Sequence, residues 1–130
     1  MAEGSVGAGR ERTLARYLAV WQGEADLTEL DRLVTPSYVG HMGAGSRNLA
    51  QLKRDIAAYR AAAEDVRFHV EHRFGNDPFV ATRVSATAIR RSDGARLVAA
   101  GLNISRWDGD LLAEEWAVWE PLHQAGDAPA

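Results

Sequence analysis

Apolar residues recur at helical spacing in the first half of the chain and at every second position afterwards. Leu14, Tyr17, Leu18 and Trp21 fall at i, i+3, i+4 and i+7, a stripe along one face of a helix from Arg10 to Gln22. After Gly23, Asp26 and Glu29 stand in capping-box relation around Leu27, Leu30 and Leu33. Thr35-Pro36 closes that pattern, because proline disfavours a helical residue before it, so a short second helix is expected. Asn48 as N-cap, Gln51 three positions on, and Leu49, Leu52, Ile56 and Tyr59 on one face predict a third helix to Ala63. Beyond Glu64 the period becomes two: Val66, Phe68, Val70 and Phe74 alternate with Arg67, His69, Glu71 and Arg73. Turn residues at Gly75 to Pro78, Ser92 to Gly94 and Asp108-Gly109 then separate three further strands, Phe79 to Ile89, Arg96 to Trp107 and Leu111 to Glu120.

Helices followed by a meander indicate an α+β domain in which the helices pack on one face of a strongly curved antiparallel sheet. A short strand, Tyr38 to Met42, is expected at its edge. A sheet curled around a long helix leaves a cavity open at one end, and chemistry is expected there. The Gly-, Ala- and Ser-rich ends, residues 1–9 and 124–130, read as flexible tails around a single domain, 10–123.

Composition narrows the function classes. At 130 residues, with 46% hydrophobic and 25% charged, the chain has the size and balance of one soluble domain. Its net charge of −3 comes from interspersed charges, which gives no footprint for nucleic acid. With no cysteine, disulfides, thiolate metal sites and cysteine nucleophiles are excluded. No basic-then-apolar leader opens the sequence and no run approaches the roughly 20 apolar residues that span a bilayer, so no membrane partner and a cytoplasmic location are expected.

The segment from Ile104 to Glu120, with Asp108-Gly109, Glu114 and Trp116, resembles the end of the SnoaL-like polyketide cyclase family of the NTF2-like superfamily. Tyr38-Val-Gly-His41 and Val80-Ala-Thr-Arg83 are similar to that family's Tyr-x-x-His and Val-x-x-Arg, so the likeness spans roughly residues 10 to 122. It implies an NTF2-like, cone-shaped α+β barrel with three N-terminal helices, forming a homodimer. The implied activity is cofactor-independent intramolecular aldol and proton-transfer chemistry on an apolar or polycyclic, polyketide-like small molecule. No cofactor or metal is implied.

Glu120 falls where the family's acid/base aspartate sits, and the resemblance turns Trp116 and Glu120 inward. A carboxyl beside an indole in an apolar pocket is raised toward the range useful for proton transfer. In the other reading Glu120 ends the sheet in solvent. His72, on the apolar parity of its strand, is expected to point into the cavity and polarise a carbonyl, or else to be a satisfied core histidine. His41 either orients substrate or braces the helix–strand junction. Tyr38, Glu114 and Trp116 join them as substrate-binding candidates through the matched motifs. Arg83 either pairs with Glu120 or Glu114 or binds an anionic group. Asn103 shares a parity with Ala99 and Gly101, and offers a hydrogen bond if that parity faces the pocket.

His69 and His72 do not suggest a metal site, because positions i and i+3 of a strand project to opposite faces. Gly43-Ala-Gly45 lacks the rest of a phosphate-binding loop. Two other classes compete with the cyclase: a non-catalytic ligand-binding or assembly module, and an isomerase or epoxide hydrolase on the same fold. The hydrolase is disfavoured because Ser85 stands where its Asp-Arg-Asp arrangement needs an aspartate. Trp119, Ala113 and Ala117 are expected to form the apolar dimer patch.

Overall fold

Of the helical stripe along α1 (Ala8–Trp21), Leu14 and Tyr17 are buried and Leu18 and Trp21 partly so, and Val20 beside them is buried as well. The computed structural model describes residues 6–126. Because α1 starts at Ala8 and Val6 is buried, the end of the expected N-terminal tail is packed. The rest of it, residues 1–5, and residues 127–130 of the C-terminal tail lie outside the described residues. Asp26 accepts from the Thr28 N–H and starts a 3₁₀ turn, Leu27–Glu29, that leads into α2 (Leu30–Leu33). Leu30 and Leu33 are both buried. The expected capping box opens α3 (Leu49–Ala62): Asn48 Oδ1 accepts from Gln51 N–H at 3.0 Å, and Gln51 Oε1 from Asn48 N–H at 2.8 Å. Leu52 and Ile56 then join α1 and α2 in the core.

The sheet comprises β1 (Val34–Met42), β2 (Gly45–Arg47), β3 (Ala63–Asn76), β4 (Phe79–Arg90), β5 (Arg96–Asp108), β6 (Leu111–Trp119) and β7 (His123–Gln124). Its order is β2-β1-β6-β5-β4-β3, with β7 on the far end of β5. The predicted meander from β3 to β6 is present, but the sheet is mixed, because β1 runs parallel to β6. Only a hairpin connection forces neighbours to be antiparallel, and α3 with four strands separates this pair in sequence.

Two bulges decide which side chains face the helices. On β3, Val70 pairs with Val84 and His72 with Arg83, so Glu71 is an extra residue. On β6, Leu112 pairs with Trp107 and Glu114 with Arg106, so Ala113 is extra. Each insertion inverts the alternation downstream of it. Arg73 therefore faces inward and His72 and Phe74 outward. Glu115, Ala117 and Trp119 face inward, and Glu114, Trp116 and Val118 outward. Ala117 and Trp119 thus belong to the interior, and the apolar outer patch consists instead of Leu102, Ile104, Trp116 and Val118.

Candidate functional site

Between α1, α3 and the inner sheet face lies a cavity of about 290 Å³. Small residues on β5 and β6 make the space. Ala99 and Ala117 line it, and the Trp119 indole lies flat on Gly101, where any Cβ would strike the ring. Two edge-to-face aromatic pairs contribute to the wall, Trp21 with Tyr59 and Phe68 with Trp119, at centroid separations of 5.4 and 5.9 Å.

The strand register places polar groups in two neighbouring rows of this apolar face. One row runs Arg73, Thr82, Asn103, and the next runs Ser105, Glu115, Gly40, Arg47. Glu115 is 3% exposed. Its Oε1 accepts from Tyr17 at 2.9 Å, Tyr38 at 2.5 Å and Arg47 Nη2 at 3.1 Å, and its Oε2 has one longer contact, Asn103 Nδ2 at 3.3 Å. Gly40 makes this convergence possible: a Cβ there would sit 2.5 Å from the Tyr38 hydroxyl and 3.0 Å from Arg47 Nε. Arg47 stands over the Trp21 ring and reaches Asp55 on α3 through Nη1 at 3.2 Å. Burial, and then the neighbouring Glu115 charge, hold both tyrosine hydroxyls well above their ordinary pKa, so they stay protonated as donors. A buried carboxylate with a guanidinium and three further donors is a hydrogen-bond acceptor held rigidly, with Oε2 the less occupied oxygen.

The residues expected from sequence divide between the two faces. Asn103 lines the cavity, so its parity is the pocket-facing one, whereas Tyr38 is buried in the core and meets the site only through its bond to Glu115. Glu120 borders the cavity but is exposed, and its Oε1 accepts from the Ala100 N–H at 2.8 Å. It does not sit beside Trp116 in an apolar pocket, because the Ala113 bulge turns Trp116 outward. Glu114 faces outward too, accepting from Arg106 Nε at 3.1 Å and bonded to His41 Nε2 at 2.7 Å. The His41 ring stacks on Trp116 at 5.4 Å, so none of these three lines the cavity. His72, turned outward by the Glu71 bulge, and its register partner Arg83 on β4 are exposed on the outer face, and Arg83 pairs with neither Glu114 nor Glu120.

Glu115, Tyr17, Arg47 and Arg73 did not emerge from the sequence as site residues. One signal pointed to the correct face: the parity of Ala99, Gly101 and Asn103 is rich in small residues, as a wall beside a cavity must be.

The fold and site define a class: a curved α+β cone that holds a buried carboxylate in an apolar small-molecule pocket. The chain belongs to the SnoaL-like domain family, whose match spans residues 14–115. Among solved structures it is similar to IdmH, a proposed polyketide cyclase from Streptomyces antibioticus, at 23% identity and a TM-score of 0.72, covering 85% of this chain and 91% of that one. A proposed polyketide cyclase from Acidithiobacillus ferrooxidans superposes with a TM-score of 0.76 at 19% identity, over 89% of this chain and 91% of that one. AclR of Streptomyces galilaeus, a proposed hydroxylase, gives 0.75 at 19% identity, over 87% and 76%. These likenesses establish the NTF2-like fold, which hosts more than one chemistry. No curated protein matches the sequence. Among the described residues, no helix is long and apolar enough to cross a membrane.

Proposed function

We propose that the chain is a cyclase-type enzyme that promotes intramolecular aldol closure of a polyketide-like small molecule without a cofactor, with Glu115 as its acid/base. The observation that carries this reading is the buried Glu115 carboxylate, which lines an apolar cavity and whose Oε2 has a single, longer contact. In the proposed step, Oε2 takes the proton from a carbon flanked by two carbonyls. The resulting enolate carbon attacks a ketone of the same chain, one C–C bond forms, and the alkoxide recovers the proton from Glu115. A carboxylate is a weak base, but the flanking carbonyls make that carbon acidic, and confinement of the folded chain supplies much of the rest. Asn103 is the donor placed to bond the enolate oxygen. His41 and His72 have no part in this step, since both lie on the outer face.

Glu115→Gln keeps the shape of the side chain and removes the base. It is expected to lower cyclisation of a poly-β-carbonyl substrate on the order of a hundredfold or more, with Glu120→Gln within a few-fold of wild type. Turnover that survives Glu115→Gln in a folded variant, checked by circular dichroism, overturns the mechanism.

One observation favours a second reading, a ligand-binding module without chemistry: three donors already converge on Oε1, as in a purely structural network. Tight ligand binding with no turnover by wild type would select it. The outward position of Arg83 counts against an epoxide hydrolase, which would need that arginine in the pocket. A homodimer closed over the outer sheet face accompanies either reading, supported by Leu102 at 61% and Val118 at 75% exposure beside Ile104 and Trp116.

A further inference from the structure

Arginine is unexpected in the wall of an apolar cavity, and Arg73 is there only because the Glu71 bulge turns it inward. Its side chain is 12% exposed. Nη1 reaches out to Glu11 on α1 at 2.8 Å, and Nε donates to Thr82 Oγ1 at 3.3 Å, which leaves Nη2 without a partner among the described residues. Thr82 is itself buried and, as the acceptor of that bond, keeps its hydroxyl proton free to donate. Asn103 follows in the same row on the adjacent strand.

The charges along this wall do not balance. Arg47 and Arg73 are both nearly buried and, among the described residues, Glu115 is the one buried carboxylate, while the outer partners Glu11 and Asp55 are 48% and 53% exposed. Water screens those two and weakens their hold. One buried cation is therefore poorly compensated on the cavity side.

We propose that Arg73, with Thr82 and Asn103 beside it, is the anchor for a carboxylate on the ligand, so that the cavity takes a flat, apolar monoanion. This rests on the reading that the cavity is the ligand site. The carboxylate binds Nη2 and the Thr82 hydroxyl, and the apolar body lies along Ala117 and Ala99 toward Phe68 and Trp119. Glu11 competes with the ligand for the same guanidinium. In this role Arg73 recognises ligand and takes no part in proton transfer.

The test is calorimetric binding of 2-naphthoate, ionised at neutral pH, against its neutral isostere 2-naphthamide. Wild type is expected to prefer the naphthoate by about tenfold or more, and Arg73→Met to remove the preference while leaving naphthamide binding unchanged. Glu11→Gln leaves Arg73 in place and releases it, so naphthoate is expected to bind about two- to threefold tighter with naphthamide unaltered. A plain α1–β3 staple predicts the reverse, since Glu11→Gln would then loosen the cavity and weaken both ligands. That result, or no naphthoate preference in wild type, overturns the proposal. If Glu115→Gln retains turnover while the naphthoate preference holds, the mechanism fails and the anion anchor stands.

Discussion

Glu114 and Glu115 are neighbours in sequence and identical in chemistry, yet they work on opposite faces of one strand. Glu114 lies on the outer face, one quarter accessible, and answers to His41 and Arg106. Glu115 lies on the inner face and has four donors from α1, β1, β2 and β5. A partly exposed carboxylate retains water as an alternative partner, so its ion pair contributes little. A buried one has no such alternative, and each donor that reaches it is held in place by the need to satisfy it. The same side chain is thus a modest surface contact on one side of the strand and an organising centre on the other. The inner carboxylate also ties the helical layer to the sheet, through Tyr17 of α1 and, by way of Arg47 and Asp55, through α3.

Removing each carboxylate in turn gives the largest contrast. Glu115→Leu leaves Arg47 charged and buried without its carboxylate and strands two tyrosine hydroxyls, at an expected cost of about 3–5 kcal/mol in urea unfolding. Glu114→Leu is expected to cost about 1 kcal/mol or less, since His41 and Arg106 remain within reach of water. Equal losses from the two variants would remove the distinction between the faces.

A middle-sized effect tests whether the inner network depends on close approach. Gly40→Ala forces a Cβ against the Tyr38 hydroxyl, which is fixed on Glu115, and against Arg47 Nε, whose guanidinium is held on Glu115 through Nη2. Overpacking of this kind is expected to cost about 1–3 kcal/mol. Because the collision is with that network, the cost should shrink in a Tyr38→Phe background, a coupling that a double-mutant cycle reads directly. Independent, additive losses would mean that Gly40 matters for its backbone alone.

The elements could be read from the sequence because their signals are local. The stripe Leu14, Tyr17, Leu18, Trp21, the Asn48–Gln51 cap and the Gly109 turn each specify structure within a few residues. The faces of the strands could not be read the same way. Strict alternation carried from Val66 through Phe74 turns His72 inward, and alternation along Leu112, Glu114, Trp116 turns Glu115 outward. Both assignments fail at a single inserted residue, Glu71 or Ala113, whose bulge is set by pairing with a strand that is distant in sequence. Asn103 was legible because no bulge separates it from the small residues Ala99 and Gly101 of its own parity, whereas Tyr38, in the stretch of β1 where the register with β6 shifts, was marked only by the likeness of Tyr38-Val-Gly-His41 to a family motif. Arg47 was hidden differently: it is on a three-residue edge strand too short to show any period, and only tertiary contact brings it to Glu115.

The smallest effect is a matter of sign, and pH separates the two faces by it. The hydrogen bond from His41, then that from Arg106, holds the Glu114 carboxyl below its ordinary value. Its contribution is therefore complete above the ordinary carboxylate range and is lost as pH falls through the lowered value. Burial and Glu115 raise Tyr17 and Tyr38, so their contribution is complete below about pH 10 and is lost as pH climbs beyond it, where the unfolded chain ionises and the folded one resists. Stability against urea is thus expected to fall at both extremes for different reasons. Glu114→Gln should flatten only the acid limb, by about 0.2–1 kcal/mol, the scale of a partly exposed ion pair. Tyr17→Phe should flatten only the alkaline limb. If either variant altered the opposite limb, the inner and outer carboxylates would be coupled through the strand they share, and the sheet would no longer insulate one face from the other.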